Sequence, residues 1–236
     1  MKNPKSGHIS MPVMCVAWFT LGYIVLAAPW SLLVVNLEFF IYSIEMVLIF
    51  LLAVVLHKRN RLHVISLWCM SLWGILHLAG GLVLVPSAWP TSGRSHVLYN
   101  LWLAPGLLKY DQFVHAYGFA VVTWVCWQVL SRLTKPGEAG LEMFLASVTT
   151  SLGVGAFNET VEFVATLALP LNNVGDYANY GWDLVFNAIG SIAAGVVLWH
   201  LDRRRPASEV PMSAETQPQL IATGPAEHAF QGCHRS

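Results

Sequence analysis

Six stretches of mostly apolar residues, each about twenty residues or longer, limit what this chain can fold into. A helix rises about 1.5 Å per residue, so roughly 20 residues cross the ~30 Å hydrocarbon core of a bilayer. Lipid offers no hydrogen bonds to a backbone, so segments of this kind cross as helices. The stretches fall at about 11–29, 31–56, 63–85, 111–131, 141–169 and 182–201. They predict an all-α, polytopic integral membrane protein with six transmembrane helices. Pro29 with Trp30 predicts a tight turn between the first two spans. His57-Lys58-Arg59-Asn60-Arg61, Pro86 with Pro90, Lys135-Pro136-Gly137, Pro170 and Arg203-Arg204-Arg205 close the others. Residues 1–10 read as a short cytoplasmic segment. Residues 202–236, rich in Pro, Ser, Ala and Gln, read as a disordered cytoplasmic tail.

Composition supports the same class. Apolar residues make up 56% of the chain and charged residues 11%, against about 25% charged in soluble domains. Such a surface cannot be covered in water. The formal net charge is zero, which gives no basis for a nucleic-acid partner. Cys15, Cys69, Cys126 and Cys233 form no Cys-x-x-Cys pair and read as small buried hydrophobes. The N-terminal stretch reads as a signal anchor, because cleavage before Pro29 is a poor match to a leader. With the N-terminus in the cytoplasm, eleven of the thirteen Lys and Arg residues fall on inner segments. Arg94 and Lys109 alone fall outside, as the positive-inside rule asks. Both termini are then cytoplasmic, and Trp30, Trp89, Trp102 and Trp182 form an outer aromatic belt.

Polar groups at bilayer depth are costly and mark functional sites by default. Glu38 and Glu45 share a face of the second span and read as a packed polar seam. His77 lies in the third span, and Asp111 and His115 open the fourth. Asn158, Glu159 and Glu162 lie in the fifth, and Asp183 and Asn187 open the sixth. The orientation puts Asp111 and Asp183 at the outer boundary. His115 and Asn187 then lie about 6–8 Å below it, and His77, Glu162 and Glu159 roughly 10–17 Å below. These groups converge on one layer in the outer half of the membrane. The spacing predicts that at least four of His77, His115, Glu159, Glu162, Asp183 and Asn187 share a cavity. The fourth and sixth spans open on one frame, Asp111-x-x-x-His115-x-x-Gly118 and Asp183-x-x-x-Asn187-x-x-Gly190. Its glycines would let helices approach closely beneath the polar layer.

No Lys or Arg lies within any of the six spans. Protons, imidazolium or a bound cation must therefore balance the acids. The donor set of His77, Asp111, His115, Asp183 and Asn187 suits a divalent ion such as Zn²⁺, Mn²⁺ or Mg²⁺. Glu159 and Glu162 remain as the acid–base candidates. A plainer reading makes Asp111 and Asp183 helix N-caps and His77 a helix-to-helix hydrogen-bonding residue.

At these residues the sequence resembles a known family. Leu76-His77-Leu78-Ala79-Gly80-Gly81, Tyr110-Asp111-Gln112-Phe113-Val114-His115, Asn158-Glu159-Thr160-Val161-Glu162, and Trp182-Asp183 with Asn187 and Gly190 resemble the YjdF-like bacterial inner-membrane proteins. More distantly, the order Asp-x-x-x-His, Glu, Asp-x-x-x-Asn-x-x-Gly resembles VanZ-like proteins. The resemblance implies a multi-pass protein of the inner (plasma) membrane and defines no reaction. The chain departs from the YjdF-like pattern at Asn179-Tyr180-Gly181-Trp182, where a Thr-Gln-Gly-Asp-like approach is usual.

Three functions compete. The first is a metal-dependent enzyme acting on a lipid-linked or envelope substrate, although the basic residues that phosphoryl transfer would want are not evident. The second is a proton- or cation-coupled transporter, for which a homodimer would supply the missing symmetry. The third is a non-catalytic envelope accessory protein. In that case the apolar, aromatic segment from Pro86 to Tyr110 is a recognition surface on the membrane; otherwise it is a lid over the polar layer.

Overall fold

A computed structural model describes residues 10–33, 37–92, 95–133, 140–168 and 177–203. The side chain of Glu38, Arg94, Lys135-Pro136-Gly137, Pro170, Arg204, Arg205 and the tail lie outside the described residues. Among the described residues there are six α-helices: α1 (Met11–Leu33), α2 (Leu37–Asn60), α3 (Val64–Leu82), α4 (Tyr110–Leu130), α5 (Leu141–Ala168) and α6 (Tyr177–Arg203). Among the described residues, α1, Phe40–Asn60 of α2, α3, α4 and Ala178–Arg203 of α6 are long and apolar enough to cross a membrane. α5 has the length, but Asn158, Glu142, Glu159 and Glu162 dilute its apolar character.

α1 does not stop at Pro29. It continues to Leu33, and the turn expected at 29–30 is absent. Proline costs one backbone hydrogen bond, a loss that neighbouring groups can absorb in a membrane helix. Just beyond it, the Ser31 hydroxyl donates to the Ala28 carbonyl at 2.7 Å.

Burial in the bundle is inverted relative to a soluble protein. The largest fully buried side chains include Asn187, Asp183, Thr123 and five serines besides Ser31. Leu26 is 73% exposed and Phe157 69%, which only lipid would accept. Small hydroxyls join the helices at close range, as in membrane bundles generally. Thr20 of α1 meets Ser71 of α3 at 2.7 Å. Ser151 of α5 meets Ser191 of α6 at 2.9 Å and donates to the Phe119 carbonyl of α4 at 3.1 Å.

Helices α1, α2 and α3 pack on one another, as do α4, α5 and α6, and α3 meets α4 between the two groups. The start of α3 is tied to the end of α4, where the His63 amide donates to Gln128 Oε1 at 2.7 Å. Between α3 and α4 the described residues form a cap. It holds a 3-10 turn at Leu98–Asn100 and a small antiparallel pair, β1 (Trp102–Ala104) with β2 (Leu108–Lys109). Gly106, at φ 71°, takes the turn between the strands, where a side chain would be strained. The bridges Leu84 to Val97 and Thr91 to Leu101 fold the rest of the cap onto itself.

Candidate functional site

The shared frame of α4 and α6 is a spatial register. Asn179 donates one amide proton to Asp111 Oδ2 at 3.1 Å and the other to Asp183 Oδ2 at 2.7 Å. One turn deeper, His115 Nδ1 lies 3.0 Å from Asn187 Oδ1. The two helices therefore run parallel, side by side, with matching residues paired. Gly190 allows this: a Cβ there would strike the Ala116 backbone. Gly118 serves a different contact and seats the indole of Trp73 from α3.

Neither acid is an N-cap. Lys109 caps α4, and α6 begins at Tyr177, which puts Asp183 well inside the helix. Both carboxylates instead split their oxygens. Each Oδ2 takes Asn179, and each Oδ1 faces His115 Nε2, at 3.5 Å from Asp111 and 3.9 Å from Asp183. Asp111, His115 and Asp183 each offer one donor atom within 4.8 Å of the others. Asp183 Oδ1 is buried and has no hydrogen-bond partner.

Helix α5 closes the other side. Asn187 Nδ2 donates to Glu159 Oε1 at 3.0 Å, and that oxygen lies 3.4 Å from His115 Nδ1. The amide orientation of Asn187 follows, since a carboxylate takes the N–H₂ end and leaves Oδ1 for the imidazole. His115 then carries its proton on Nδ1. Glu159 Oε2 is buried without a hydrogen-bond partner. Glu162, a turn further along, accepts from Asn158 at 2.8 Å. His115, Glu159, Glu162, Asp183 and Asn187 are all buried.

His77 is held apart from the three-donor group. Its Nδ1 lies 2.5 Å from the Tyr99 hydroxyl of the cap, and its ring packs against Tyr42 and Trp73. Gly80 leaves room for the Tyr99 ring, which a Cβ would meet at 2.5 Å. Burial, with Asp111 and Glu162 nearby, holds the Tyr99 phenol well above its ordinary value. The hydroxyl therefore stays protonated at neutral pH and can donate to His77. The cap reaches the site a second time through Lys109, whose Nζ donates to Asn179 Oδ1 at 2.5 Å.

Asn179, Tyr99 and Lys109 join the site without being marked by the spans. Asn179 is four residues before Asp183, one turn away, and falls outside a span beginning at 182. Lys109 precedes Asp111 by two residues and falls on the outer segment. Tyr99 carries no local signal.

Fold and site together define a polytopic α-helical membrane protein with a buried carboxylate–histidine centre. The chain belongs to the family described as "Predicted membrane protein (DUF2238)", whose model matches residues 13–204. No curated protein and no solved structure matches it.

Proposed function

We propose that this chain is a metal-dependent membrane enzyme acting on a lipid-linked, anionic substrate. Asp111, His115 and Asp183 hold the cation, and Glu159 and Glu162 handle protons. One observation carries the reading: His115 Nε2 faces two carboxylate oxygens while Nδ1 is committed to Asn187. An imidazole edge against two carboxylates calls for positive charge between them, from a bound cation or from a second proton on Nε2. Separations of 3.5 and 3.9 Å are long for N–H···O bonds. They match the roughly 3–4 Å between neighbouring ligands of a divalent ion bound at about 2.1 Å. One imidazole and two carboxylates suit Zn²⁺, Mn²⁺ or Mg²⁺. Asn187, with Glu159 behind it, orients the imidazole as outer partners do at metal sites.

A bound cation supplies an acidified water or a polarised substrate oxygen. Glu159, on the Nδ1 side of His115 and with Oε2 buried without a hydrogen-bond partner, is the group that would accept a proton. Glu162, steadied by Asn158, lies a turn away as the second carrier. Lys109 brings to the rim the positive charge that a phosphate-bearing headgroup needs.

The same reading makes α5 a sixth span. Parallel α4 and α6 can both cross only if the chain returns between them, and 28 residues reach about 42 Å. Both termini then lie on the basic, cytoplasmic side, and the resemblance to YjdF-like and VanZ-like proteins favours the inner membrane. Proton- or cation-coupled transport is the second reading, favoured by the continuous path from Glu159 through His115 to Asp111.

Elemental analysis of the full-length protein in detergent separates these. One divalent cation per chain is expected, with affinity lowered about tenfold or more in Asp183→Asn. Glu159→Gln should keep the cation and lose release of phosphate from a polyprenyl diphosphate. Protein that takes up none of Zn²⁺, Mn²⁺ or Mg²⁺ overturns the enzyme reading. Proton flux into vesicles in that case supports transport.

A further inference from the structure

A cavity of about 870 Å³ opens among α1, α2 and α3, away from the carboxylate–histidine centre. Its wall is apolar, with Val13, Ala17, Ile49, Phe50, Ala53 and Leu67 among the lining residues, and among the described residues no Asp or Glu contributes. His57, Lys58 and Arg61 line it too, and all three sit where α2 turns into α3. Along α1 the lining runs from Ser10 to Tyr23, about 20 Å at 1.5 Å per residue. One leaflet of hydrocarbon is about 15 Å deep, so the groove is one acyl chain long with its basic groups at headgroup level.

Two details at the mouth point to an anion. His57 Nδ1 is buried and has no hydrogen-bond partner. Arg61 closes α2 at φ 50°, where its amide donates to the His57 carbonyl at 2.8 Å. Glycine is the usual residue for that left-handed closing position. Arginine is strained there, but it brings a guanidinium to the groove.

We propose that this groove binds one anionic membrane phospholipid, its phosphate at His57, Lys58 and Arg61 and an acyl chain between α1, α2 and α3. A zwitterionic headgroup would leave the basic groups without a net counter-charge. The volume lies within the roughly 300–1,000 Å³ of ligand pockets.

The test is native mass spectrometry of the full-length protein after exchange with vesicles of phosphatidylglycerol or phosphatidylcholine. One phosphatidylglycerol per chain should be retained, and phosphatidylcholine several-fold less. Arg61→Gly relaxes the backbone, so thermal stability should hold or rise while the preference for phosphatidylglycerol falls several-fold. Lys58→Gln should lower it in the same way. Cation content at Asp111, His115 and Asp183 should not change, which keeps this site separate from the first. Equal retention of both lipids, or an unchanged preference in Arg61→Gly, overturns the proposal. So does displacement of the bound lipid by inorganic phosphate alone, which would mark a soluble-anion site.

Discussion

Asn179 gives one amide proton to Asp111 and one to Asp183 and turns its carbonyl to Lys109. Asn187 stands between His115 and Glu159 in the same manner one turn deeper. A neutral amide can join two acceptors, or a donor and an acceptor, without adding charge to a layer already rich in acids. Asn187→Leu removes both links while keeping the number of side-chain heavy atoms. Leaving the imidazole N–H and the Glu159 oxygen unpaired should cost about 1–3 kcal/mol, and cation affinity should fall about 10–100-fold. Thermal unfolding with and without added Zn²⁺ checks both effects. Unchanged unfolding and unchanged binding would mean that Asn187 does not orient His115. The sequence pattern carried this pairing as far as spacing can, because Asp-x-x-x-His and Asp-x-x-x-Asn sit in matched frames. Spacing could not say which atom of Asn187 points where. A ligand and an orienting residue look alike until the neighbours of both amide ends are known.

At the scale of elements, the matched frame works because α4 and α6 touch at Gly190. A methyl there meets the Ala116 backbone, which cannot rotate away, so the helices must part. Overpacking of this kind costs about 1–3 kcal/mol, and parting would also pull His115 from Asn187. Gly190→Ala should therefore lower thermal stability and cation occupancy together. Gly153 of α5 has nothing within 4 Å of a built Cβ, so Gly153→Ala should be neutral or gain up to about 1 kcal/mol from helix propensity. Equal behaviour of the two variants would remove Gly190 from its role. Helix existence was legible from apolar length alone, but several boundaries were not, and two of them matter most. Proline at 29 reads as a stop in water, whereas α1 runs on through it. Tyr177-Ala178-Asn179-Tyr180 before Gly181 reads as a loop, and it is the first turn of α6. That misplaced start hid Asn179. The cap was visible as aromatic and apolar, but nothing local in the sequence ties Tyr99 to His77 or Lys109 to Asn179, which lie 22 and 70 residues apart.

For the whole molecule, the buried polar layer and the direction of the chain are one question. If α5 lay on the membrane surface, a crossing α4 would deliver the chain to the far side and α6 would cross back from there. Asp111 and Asp183 would then stand at opposite faces, yet one asparagine binds both. The contacts from α5 run the same way: Glu159 is level with Asn187, and Ser151 is level with Ser191. As numbers fall along α5 they rise along α6, which is an antiparallel return. Glu159 and Glu162, which help to make α5 too polar to stand out as a span, are buried, and Glu159 is met by Asn187 of α6 and His115 of α4. Labelling by a membrane-impermeant thiol reagent should follow this path in sealed vesicles of a chain carrying Cys233→Ser. Ser95→Cys in the cap should react from one side only. Leu133→Cys, past α4, and Asp202→Cys, near the end of α6, should both react only from the other. Reaction of Asp202→Cys on the side of Ser95→Cys would leave α5 uncrossed, and the common centre of Asp111, His115 and Asp183 would fall with it.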